Sequence, residues 1–314
     1  MLAQPIAQTR APTTLEALIG NTPLLRLQRV TAHLPPEIAI YAKAEWTNPG
    51  GSVKDRAALN IIRTAERDGK LRRGMTLVDS TSGNTGIAYA MLGALRGIRV
   101  KLFVPANASP ERLAILRAYG AELVLTDPLE GSDGAIHAVR QLVQREPDRY
   151  FYADQYSNPA NWQAHYHSTA LEIWRQTDGA VTHFIAGLGT TGTFTGTARR
   201  LKELKPTLQA IAVQPDSPFH GLEGLKHMPS ALQPAIYDPT LADEQLAIST
   251  DETYAMARRL ACEEGLLVGI SAAAATVGAL QVAERLAARG QSGVIALIFP
   301  DSAYKYLSHA PFAP

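Results

Sequence analysis

The stretch TLVDSTSGNTGIAYAMLGALRGIRVKLFVP, residues 76–105, decides the fold class of this chain. It begins with an apolar run at Thr76–Asp79, continues as a helical pattern over 85–97, and ends with a second apolar run at Val100–Pro105. Short apolar runs rich in β-branched residues are typical of buried strands, and a helix between two such strands makes them parallel. The stretch therefore predicts one strand–helix–strand unit of an α/β protein.

The same alternation continues on both sides of this unit. Further strands are predicted at Glu122–Thr126, Tyr150–Asp154, Thr182–Ala186, Ile211–Gln214, Leu266–Ile270 and Val294–Phe299. Further helices are predicted over 53–69, 110–119, 131–145, 160–177, 192–204, 251–264 and 272–289. The least regular stretch runs from Asp216 to about Glu244, and a loop of that length is usually functional or mobile. Such a chain builds parallel sheets covered by helices, with ligands at the carboxyl ends of the strands.

The composition excludes several classes of function. Of the 314 residues 46% are apolar, and the formal net charge of +1 gives no electrostatic reason to bind nucleic acid or an anionic membrane. No apolar run approaches the ~20 residues of a membrane span, and the N-terminus lacks the apolar core of a secretory signal. A single cysteine, Cys262, excludes an internal disulfide and a cysteine-based zinc cluster, and its helical pattern predicts burial. We therefore expect a soluble cytoplasmic protein, with an enzyme as the leading class.

Lys54 occupies an unusual position for a cation. It follows the turn Asn48–Gly51 in the first turn of a predicted helix, with Ser52 as N-cap and Asp55 as the acidic partner of a capping box. Because the N–H groups of a helix N-terminus carry partial positive charge, this position should lower the pKa of the Lys54 ammonium. A neutral amine is what a lysine needs to form a Schiff base. A lone lysine is more often a solvated surface residue, so the other motifs have to decide.

A Ser/Thr/Gly turn, Thr81–Gly86, joins the strand at Thr76–Asp79 to the next helix. Such a turn presents backbone N–H groups and hydroxyls to an anion. It has neither the lysine nor the metal-binding pattern of a P-loop, so a substrate carboxylate fits it better than a triphosphate. An ordinary strand–helix turn with polar caps is the alternative.

The segment GLGTTGT, Gly187–Thr193, follows the predicted strand Thr182–Ala186 and precedes a helix. It matches G-x-G-x-x-G, the dinucleotide fingerprint, and Asp216 follows the next strand as a ribose-binding acid would. Two features argue against a dinucleotide site. The segment lies in the middle of the chain, and its threonines supply hydroxyl donors suited to a single terminal phosphate. A nicotinamide-dependent dehydrogenase stays open on this pattern alone.

Ser271 places a hydroxyl at the end of the predicted strand Leu266–Ile270, where it can donate to a ring nitrogen or cap the last long helix. The sequence thus offers four features together: an amine, an anion-binding turn, a phosphate-binding loop and a terminal hydroxyl. They match what pyridoxal 5'-phosphate needs, namely an amine for the aldehyde, a phosphate cradle and a partner for the pyridine nitrogen.

At this point the chain resembles the cysteine synthase (O-acetylserine sulfhydrylase) family. The motifs that carry the resemblance are Ile19–Leu24 (IGNTPL), Asn48–Arg56 (NPGGSVKDR) and Thr81–Gly86 (TSGNTG). That family belongs to the fold-type II, tryptophan synthase β-like enzymes, and the resemblance runs from about Leu15 to Phe312. The segments closest to the B-type isozyme are Ala164–Tyr166, Glu172–Trp174 and Gly189–Gly192.

The resemblance implies a role for each matched residue. Lys54 would form the Schiff base and move the Cα proton, Asn84 would hydrogen-bond the cofactor's ring hydroxyl, and Ser271 would face the pyridine nitrogen. The residues implied for the cofactor phosphate are Gly189, Thr190, Thr191, Gly192 and Thr193. Those implied for the substrate carboxylate are Thr81, Ser82, Gly83, Thr85 and Gln155.

The resemblance also implies the reaction, a β-replacement through an α-aminoacrylate. O-acetylserine or O-phosphoserine would react with sulfide or thiosulfate to give cysteine or S-sulfocysteine. Because Pro300–Ala303 is closer to cystathionine synthases, an enzyme of that type using homocysteine is the alternative. Lys226, beside His227 in the irregular stretch, would meet a larger anionic donor or be a solvated loop lysine.

The expected architecture is two three-layer αβα domains. Residues 1–44 and 151–314 would form a larger cofactor-binding domain, and residues 45–150 a smaller mobile domain carrying Lys54 and the carboxylate turn. A homodimer is expected from the resemblance, whereas a complex with serine acetyltransferase is less expected because of the B-type likeness. No nucleic acid, membrane or metal is expected as a partner.

Overall fold

The computed structural model describes residues 14–81 and 83–313. The strands are β1 (Leu24–Arg26), β2 (Ile38–Ala44), β3 (Thr76–Ser80), β4 (Arg99–Pro105), β5 (Glu122–Thr126), β6 (Tyr150–Tyr152), β7 (His183–Gly187), β8 (Gln209–Pro215), β9 (Glu244–Ile248) and β10 (Gly293–Phe299). The α-helices are α1 (Lys54–Arg67), α2 (Asn84–Arg96), α3 (Pro110–Ala118), α4 (Gly131–Arg145), α5 (Pro159–His167), α6 (Thr169–Gln176), α7 (Gly192–Leu204), α8 (Thr250–Glu264) and α9 (Ile270–Ala288). Short 3₁₀ helices lie at Leu15–Leu18, Glu45–Thr47 and Ala303–Lys305.

Within the described ranges the strands form two sheets. The larger sheet has six strands in the order β1-β2-β10-β7-β8-β9, and the smaller has four in the order β5-β4-β3-β6. All neighbours are parallel except β1, which pairs antiparallel with β2. The predicted α/β class with parallel sheets is confirmed.

Each sheet is buried on both faces, which explains why its strands are apolar throughout rather than alternating. In β7, Ile185 packs in one core with α9, whereas its neighbours Phe184 and Ala186 pack on the opposite face with Phe194 of α7. The smaller sheet packs against α1 and α2 on one face and against α4 on the other. Both sheets are therefore the middle layer of an αβα sandwich, as predicted.

Several helix ends follow from local sequence. Ser109 caps α3 through a side-chain bond to the N–H of Arg112, and Pro110 supplies the fixed φ of the first turn. Ser249 and Glu252 form a reciprocal capping box at α8, which ends at Gly265 in the left-handed conformation. These signals place the boundaries of the helices that flank the site.

Two predicted elements are wrong. Leu266–Ile270 is not a strand, because α8 ends at Glu264 and α9 already begins at Ile270, leaving only a single bridge from Val268 to Ser302. The predicted helix over 160–177 is two helices, α5 and α6, which meet at Ser168. The Ser168 hydroxyl donates to the carbonyl of Ala164 at 2.6 Å, and the Ser168 backbone (φ −129°, ψ −71°) lies outside the helical range.

Two local predictions also fail. The capping box predicted at the N-terminus of α1 does not form. The Asp55 carboxylate accepts the Gly50 N–H at 2.5 Å instead, and Ser52 Oγ accepts the Lys54 N–H at 3.2 Å. Cys262 is exposed rather than buried, since it lies on the outer face of α8. The strands β1, β2 and β9 were not predicted; β1 is three residues long, and β2 carries the buried charge of Lys43.

Candidate active site

A cleft of about 300 Å³ opens where the carboxyl ends of the two sheets face each other. Its lining includes Thr81 after β3, Pro105 at the end of β4, Gln155 after β6 and Gly189 after β7. This is where an α/β protein is expected to bind ligands. A smaller cavity of about 50 Å³ adjoins the cleft and shares Lys54 with it.

The cleft and its side cavity bring together most of the predicted site residues. Those lining one or both are Lys54, Thr81, Asn84, Thr85, Gln155, Gly189, Thr190, Thr191, Thr193, Lys226 and Ser271. Gly83 and Gly192 lie in the backbone directly beside them, as the N-cap of α2 and the first residue of α7. Ser82 lies outside the described residues. Ser271 stands in the first turn of α9 after the N-cap Gly269, not at a strand end.

Lys54 is the first residue of α1 and lines both the cleft and the side cavity. Burial lowers the pKa of its ammonium, the nearby Lys305 lowers it further, and Asp301 opposes both. The direction agrees with the prediction, but desolvation is the main cause rather than the helix terminus. Among the described residues, Lys54 Nζ makes no hydrogen bond or ion pair.

The Thr81–Gly86 turn is held by its own side chains. Thr81 Oγ1 accepts the N–H groups of Gly83 and Gly86 at 3.1 and 3.2 Å. Thr85 Oγ1 donates to Gln155 Oε1 at 2.7 Å, which joins the turn to the segment after β6. A Cβ on Gly83 would lie 2.3 Å from Arg112 Cδ, so glycine is required there by close packing. The turn is thus pre-formed at the N-terminus of α2, where N–H groups favour an anion.

The loop before α7 has the features of a phosphate cradle. Thr191 has a positive φ of 68°, and its buried Oγ1 has no hydrogen-bond partner within residues 14–81 and 83–313. A Cβ on Gly189 would lie 2.4 Å from the carbonyl oxygen of Gly224, and one on Gly192 would lie 2.0 Å from Asn161 Oδ1. Buried hydroxyls without a partner are uncommon in proteins, and this one lies at a helix N-terminus. A phosphate group fits this loop.

Comparison with known proteins identifies the family. Residues 15–301 match the family described as pyridoxal-phosphate dependent enzyme. The chain belongs to that family. It is 51% identical to the cysteine synthase of Aquifex aeolicus over 305 residues, covering 97% of this chain and 93% of the relative. It is 43% identical to cysteine synthase B of Salmonella typhimurium over 299 residues, covering 95% and 96%.

A solved structure shows the same fold. The O-acetylserine dependent cystathionine beta-synthase from Helicobacter pylori superposes with a TM-score of 0.90 at 36% identity, covering 97% of this chain and 100% of that one. The resemblance predicted from the motifs and the cofactor, pyridoxal 5'-phosphate, are confirmed. The dehydrogenase alternative is wrong, because the fingerprint at Gly187–Thr193 lies in a pyridoxal-phosphate dependent enzyme.

The enzyme's site contains charged residues that the motifs did not reveal. Asp301 and Lys305, in the segment after β10, are both buried and hydrogen-bond the Asn84 side chain. Tyr306 also lines the cleft, and its hydroxyl donates to Asp301 at 2.6 Å. No signal in the sequence connects these residues to Asn84, which precedes them by more than 200 positions. The sequence Pro300–Ala303 indicates a substrate class but no contact with Asn84.

His165 is a second residue that the motifs did not assign. Its ring is fully buried between Thr169 Oγ1, 3.0 Å from Nδ1, and Thr193 Oγ1, 3.3 Å from Nε2. Burial holds the pKa of His165 well below its usual range, and the charges of Arg56 and Lys54 act in the same direction. The ring is therefore a neutral hydrogen-bond partner of the Thr193 hydroxyl in the loop before α7.

Two ion pairs connect the irregular segment with the smaller sheet across the mouth of the cleft. Lys226 Nζ lies 3.3 Å from both Ser132 Oγ and Asp133 Oδ1, and 5.2 Å from the ring centroid of Tyr156. In the second pair the charges are reversed, because the cation Arg112 lies on α3 and the carboxylate Glu223 lies in the irregular segment. Only 11% of the Lys226 side chain is exposed, so it is not a solvated loop lysine. His227 instead faces solvent and contacts Ser230.

Among the described residues, no helix is long and apolar enough to cross a membrane. Likewise, no cluster of three or more histidine, cysteine or acidic side chains there could hold a metal ion.

Proposed function

We propose that the enzyme is a cysteine synthase, which replaces the β-substituent of an activated serine with sulfur. The relatives from Aquifex aeolicus and Salmonella typhimurium are named cysteine synthase and cysteine synthase B. The observation that carries the proposal is the position of Lys54, whose lowered pKa favours a neutral amine, opposite an anion-binding turn in one cleft. When bound, pyridoxal phosphate supplies the electron sink that makes the Cα proton removable.

The chain's own residues then have separable tasks. Lys54 holds the cofactor covalently and, when released, removes the Cα proton of the substrate. Thr191 and Thr193 bind the phosphate, while His165 orients the Thr193 hydroxyl. Ser271, which lines the side cavity, would offer a neutral hydroxyl to the pyridine nitrogen of the cofactor. A neutral partner there would suit elimination chemistry.

The turn Thr81–Thr85 and Gln155 bind the substrate carboxylate in this proposal. The Thr85 hydroxyl already donates to Gln155, whereas Thr81 Oγ1 only accepts N–H groups, so the donors for the carboxylate are the Thr81 hydroxyl hydrogen and the N–H groups at the start of α2. Movement of this turn onto the carboxylate would exclude water, which would otherwise divert the reaction to hydrolysis.

The test begins with the visible spectrum. Purified protein should be yellow, its absorbance should change when O-acetylserine is added, and subsequent sulfide should restore it while cysteine accumulates. A colourless protein, or one that binds the cofactor but forms no cysteine from any sulfur donor, would refute the proposal. Homocysteine is included among the donors because the Helicobacter pylori protein is named as a cystathionine beta-synthase.

We further propose that Lys226 selects anionic donors such as O-phosphoserine. Its ammonium already lies at the mouth of the cleft beside Asp133, so an incoming phosphate can replace that carboxylate. Lys226→Ala should lower kcat/KM for O-phosphoserine about tenfold and change that for O-acetylserine little, as for one lost charged hydrogen bond. The matched control is Lys202→Ala on α7, which removes a lysine paired with Asp243. Equal small losses on both donors would exclude this role.

The remaining parts of the proposal rest on the resemblance. Residues 45–150 would move as the smaller domain, the enzyme would be a homodimer, and it would act in the cytoplasm. The two ion pairs across the cleft support a closed arrangement of the smaller sheet against the irregular segment. Light scattering on the purified enzyme tests the dimer, because a monomeric mass at micromolar concentration would exclude it.

A further inference from the structure

We propose that Asp301 and Lys305 are positioning residues, which lock the Asn84 amide in one orientation and so direct one of its N–H groups to the bound cofactor. The proposal rests on the role of Asn84 in the proposed function. It adds two residues from the far end of the chain that would act on the cofactor mainly through Asn84, beside the effect of their charges on the pKa of Lys54.

The geometry around Asn84 is fully specified. Its Nδ2 donates to Asp301 Oδ2 at 2.7 Å, and its Oδ1 accepts from Lys305 Nζ at 2.8 Å. An amide flipped by 180° would place its NH₂ against an ammonium and its oxygen against a carboxylate. Both contacts would then be repulsive, so the two charges select one orientation.

The two charged residues are themselves held in place. Lys305 Nζ also donates to the carbonyl oxygen of Gly51 at 3.0 Å and lies 3.4 Å from that of Gly50, so a second short contact fixes its position. Asp301 Oδ2 accepts the Tyr306 hydroxyl at 2.6 Å. Asp301 and Lys305 are 1% and 6% exposed, so bulk water does not compete for these contacts. A buried charge strengthens a hydrogen bond only where its partners are fixed, as they are here.

The locked amide keeps one donor for a ligand. Asn84 Nδ2 carries two hydrogens, of which Asp301 takes one. The remaining contact of this nitrogen is the Tyr306 hydroxyl at 3.4 Å, which is long for a hydrogen bond. Asn84 lines both the cleft and the side cavity beside Lys54. The second N–H is therefore available to an oxygen of the cofactor ring that lies near Lys54.

The test measures cofactor affinity and spectrum rather than turnover. Cofactor-free protein is titrated with pyridoxal phosphate, and the dissociation constant and the visible absorbance band are recorded for each variant. Asn84→Ala, Asp301→Asn and Lys305→Met should each raise the dissociation constant about tenfold, as expected for a lost hydrogen bond to a charged group. They should also shift the band, because the charge on the ring oxygen loses its donor.

A double-mutant cycle decides whether the two residues act through Asn84. In an Asn84→Ala background, Asp301→Asn and Lys305→Met should lose most of their effect on the dissociation constant and the band, and the remainder measures how their charges shift the pKa of Lys54. The same loss with and without Asn84 would overturn the proposal, because the residues would then act directly on Lys54 or on the fold. Absence of any effect in the wild-type background would overturn it as well.

Controls separate positioning from stability. Asp238→Asn and Lys202→Met neutralise one carboxylate and one lysine of surface ion pairs elsewhere, and should leave affinity and band unchanged. Lys305→Arg keeps a charged donor and should restore affinity, which a purely steric role of Lys305 would not allow. If Asp301→Asn does not fold, the cycle with Lys305 alone gives the same decision. Failure of the wild-type protein to bind pyridoxal phosphate would instead refute the proposed function.

Discussion

Two buried groups of charges meet at the first turn of α1, and they are built on opposite principles. One is the ion cluster, defined as Lys43, Glu45, Arg56 and Glu172; the other is the amine site, defined as Lys54, Asn84, Asp301 and Lys305. Lys54 and Arg56 are two residues apart, so their side chains point to different sides of the helix. A single helical turn therefore supplies a cation to both groups.

In the ion cluster every charge is matched. Arg56 binds Glu45 at 2.8 and 2.9 Å and Glu172 at 2.6 and 2.8 Å, while Lys43 lies 2.7 Å from Glu172. Two cations and two carboxylates balance, and Arg56 has its pKa raised further by these partners. In the amine site, by contrast, Lys54 is left without a hydrogen bond, and Asp301 Oδ1 has none within the described residues. The comparison teaches that the two sides of this helical turn differ: the charges of the ion cluster are paired, whereas the amine site keeps polar atoms available to a ligand.

The largest expected effect is the loss of Lys54. Lys54→Ala should reduce turnover at least about 1,000-fold, because it removes both the covalent anchor and the proton-transfer group. Lys54→Arg should be as inactive, since its guanidinium stays protonated. Steady-state assays and the visible spectrum measure both. Stability should change little in Lys54→Ala but fall in Lys54→Arg, because burial disfavours a permanent charge there. Full turnover in Lys54→Ala would abolish the contrast between the two groups.

The next effect is on stability. Arg56→Met should lower the free energy of unfolding by about 3–5 kcal/mol, because it leaves the buried Glu45 without its cation and Glu172 with Lys43 alone. The matched control is Arg63→Met on the same helix, whose exposed pair with Glu16 should be worth at most about 1 kcal/mol. Urea unfolding of the cofactor-free proteins gives both values. Equal losses in the two variants would show that burial of the ion cluster contributes nothing to the free energy of unfolding.

Acid should release the ion cluster. Arg56 and Lys43 overcome the effect of burial and lower the pKa of Glu172 to about 2. The folded pKa lies below the unfolded one, so its stabilisation is present above pH ~4.3 and is lost as the pH falls towards 2. This contribution should be about 3 kcal/mol in wild type and absent in Glu172→Gln. Unfolding free energies measured across this range with identical slopes would contradict the assignment.

The smallest effects come from two buried threonines. Thr191 and Thr197 both have hydroxyls without a partner among the described residues, but only Thr191 lines the side cavity. Thr191→Val should weaken cofactor binding about tenfold through the lost phosphate contact. Thr197→Val should raise the free energy of unfolding by about 1 kcal/mol without changing cofactor binding, because an unpaired buried hydroxyl is removed. Titration and urea unfolding on both variants separate the two cases, and a reversed pattern would contradict them.

Much of the fold could be predicted because local signals agree with tertiary structure. Helices α4 and α7 begin and end where the sequence places them, and β5 coincides with its predicted range. The failures have local causes too. The apolar run Leu266–Ile270 is too short to be told from the start of a buried helix, and helix pattern alone does not show the break at Ser168.

The candidate site divides in the same way. Residues in motifs, such as Lys54 and Thr191, could be predicted because each motif has a recognisable turn or loop. Asp301 and Lys305 could not, because their partners lie more than 200 positions away and no pattern connects them. The ion cluster could not be predicted for a similar reason, because Arg56 and Glu172 lie 116 positions apart and no pattern connects them.

The position of α1 has a mechanical consequence. Its first turn is bonded through Arg56 to Glu45 and Glu172, which flank the larger sheet, whereas Ile61 and Ile62 further along pack in the core of the smaller sheet. A rotation of the smaller sheet would thus pivot about this turn. Lys54 at the start of α1 would stay almost still on the axis while the turn before α2 moves. In the proposed function, substrate would then be enclosed without displacing a cofactor bound to Lys54.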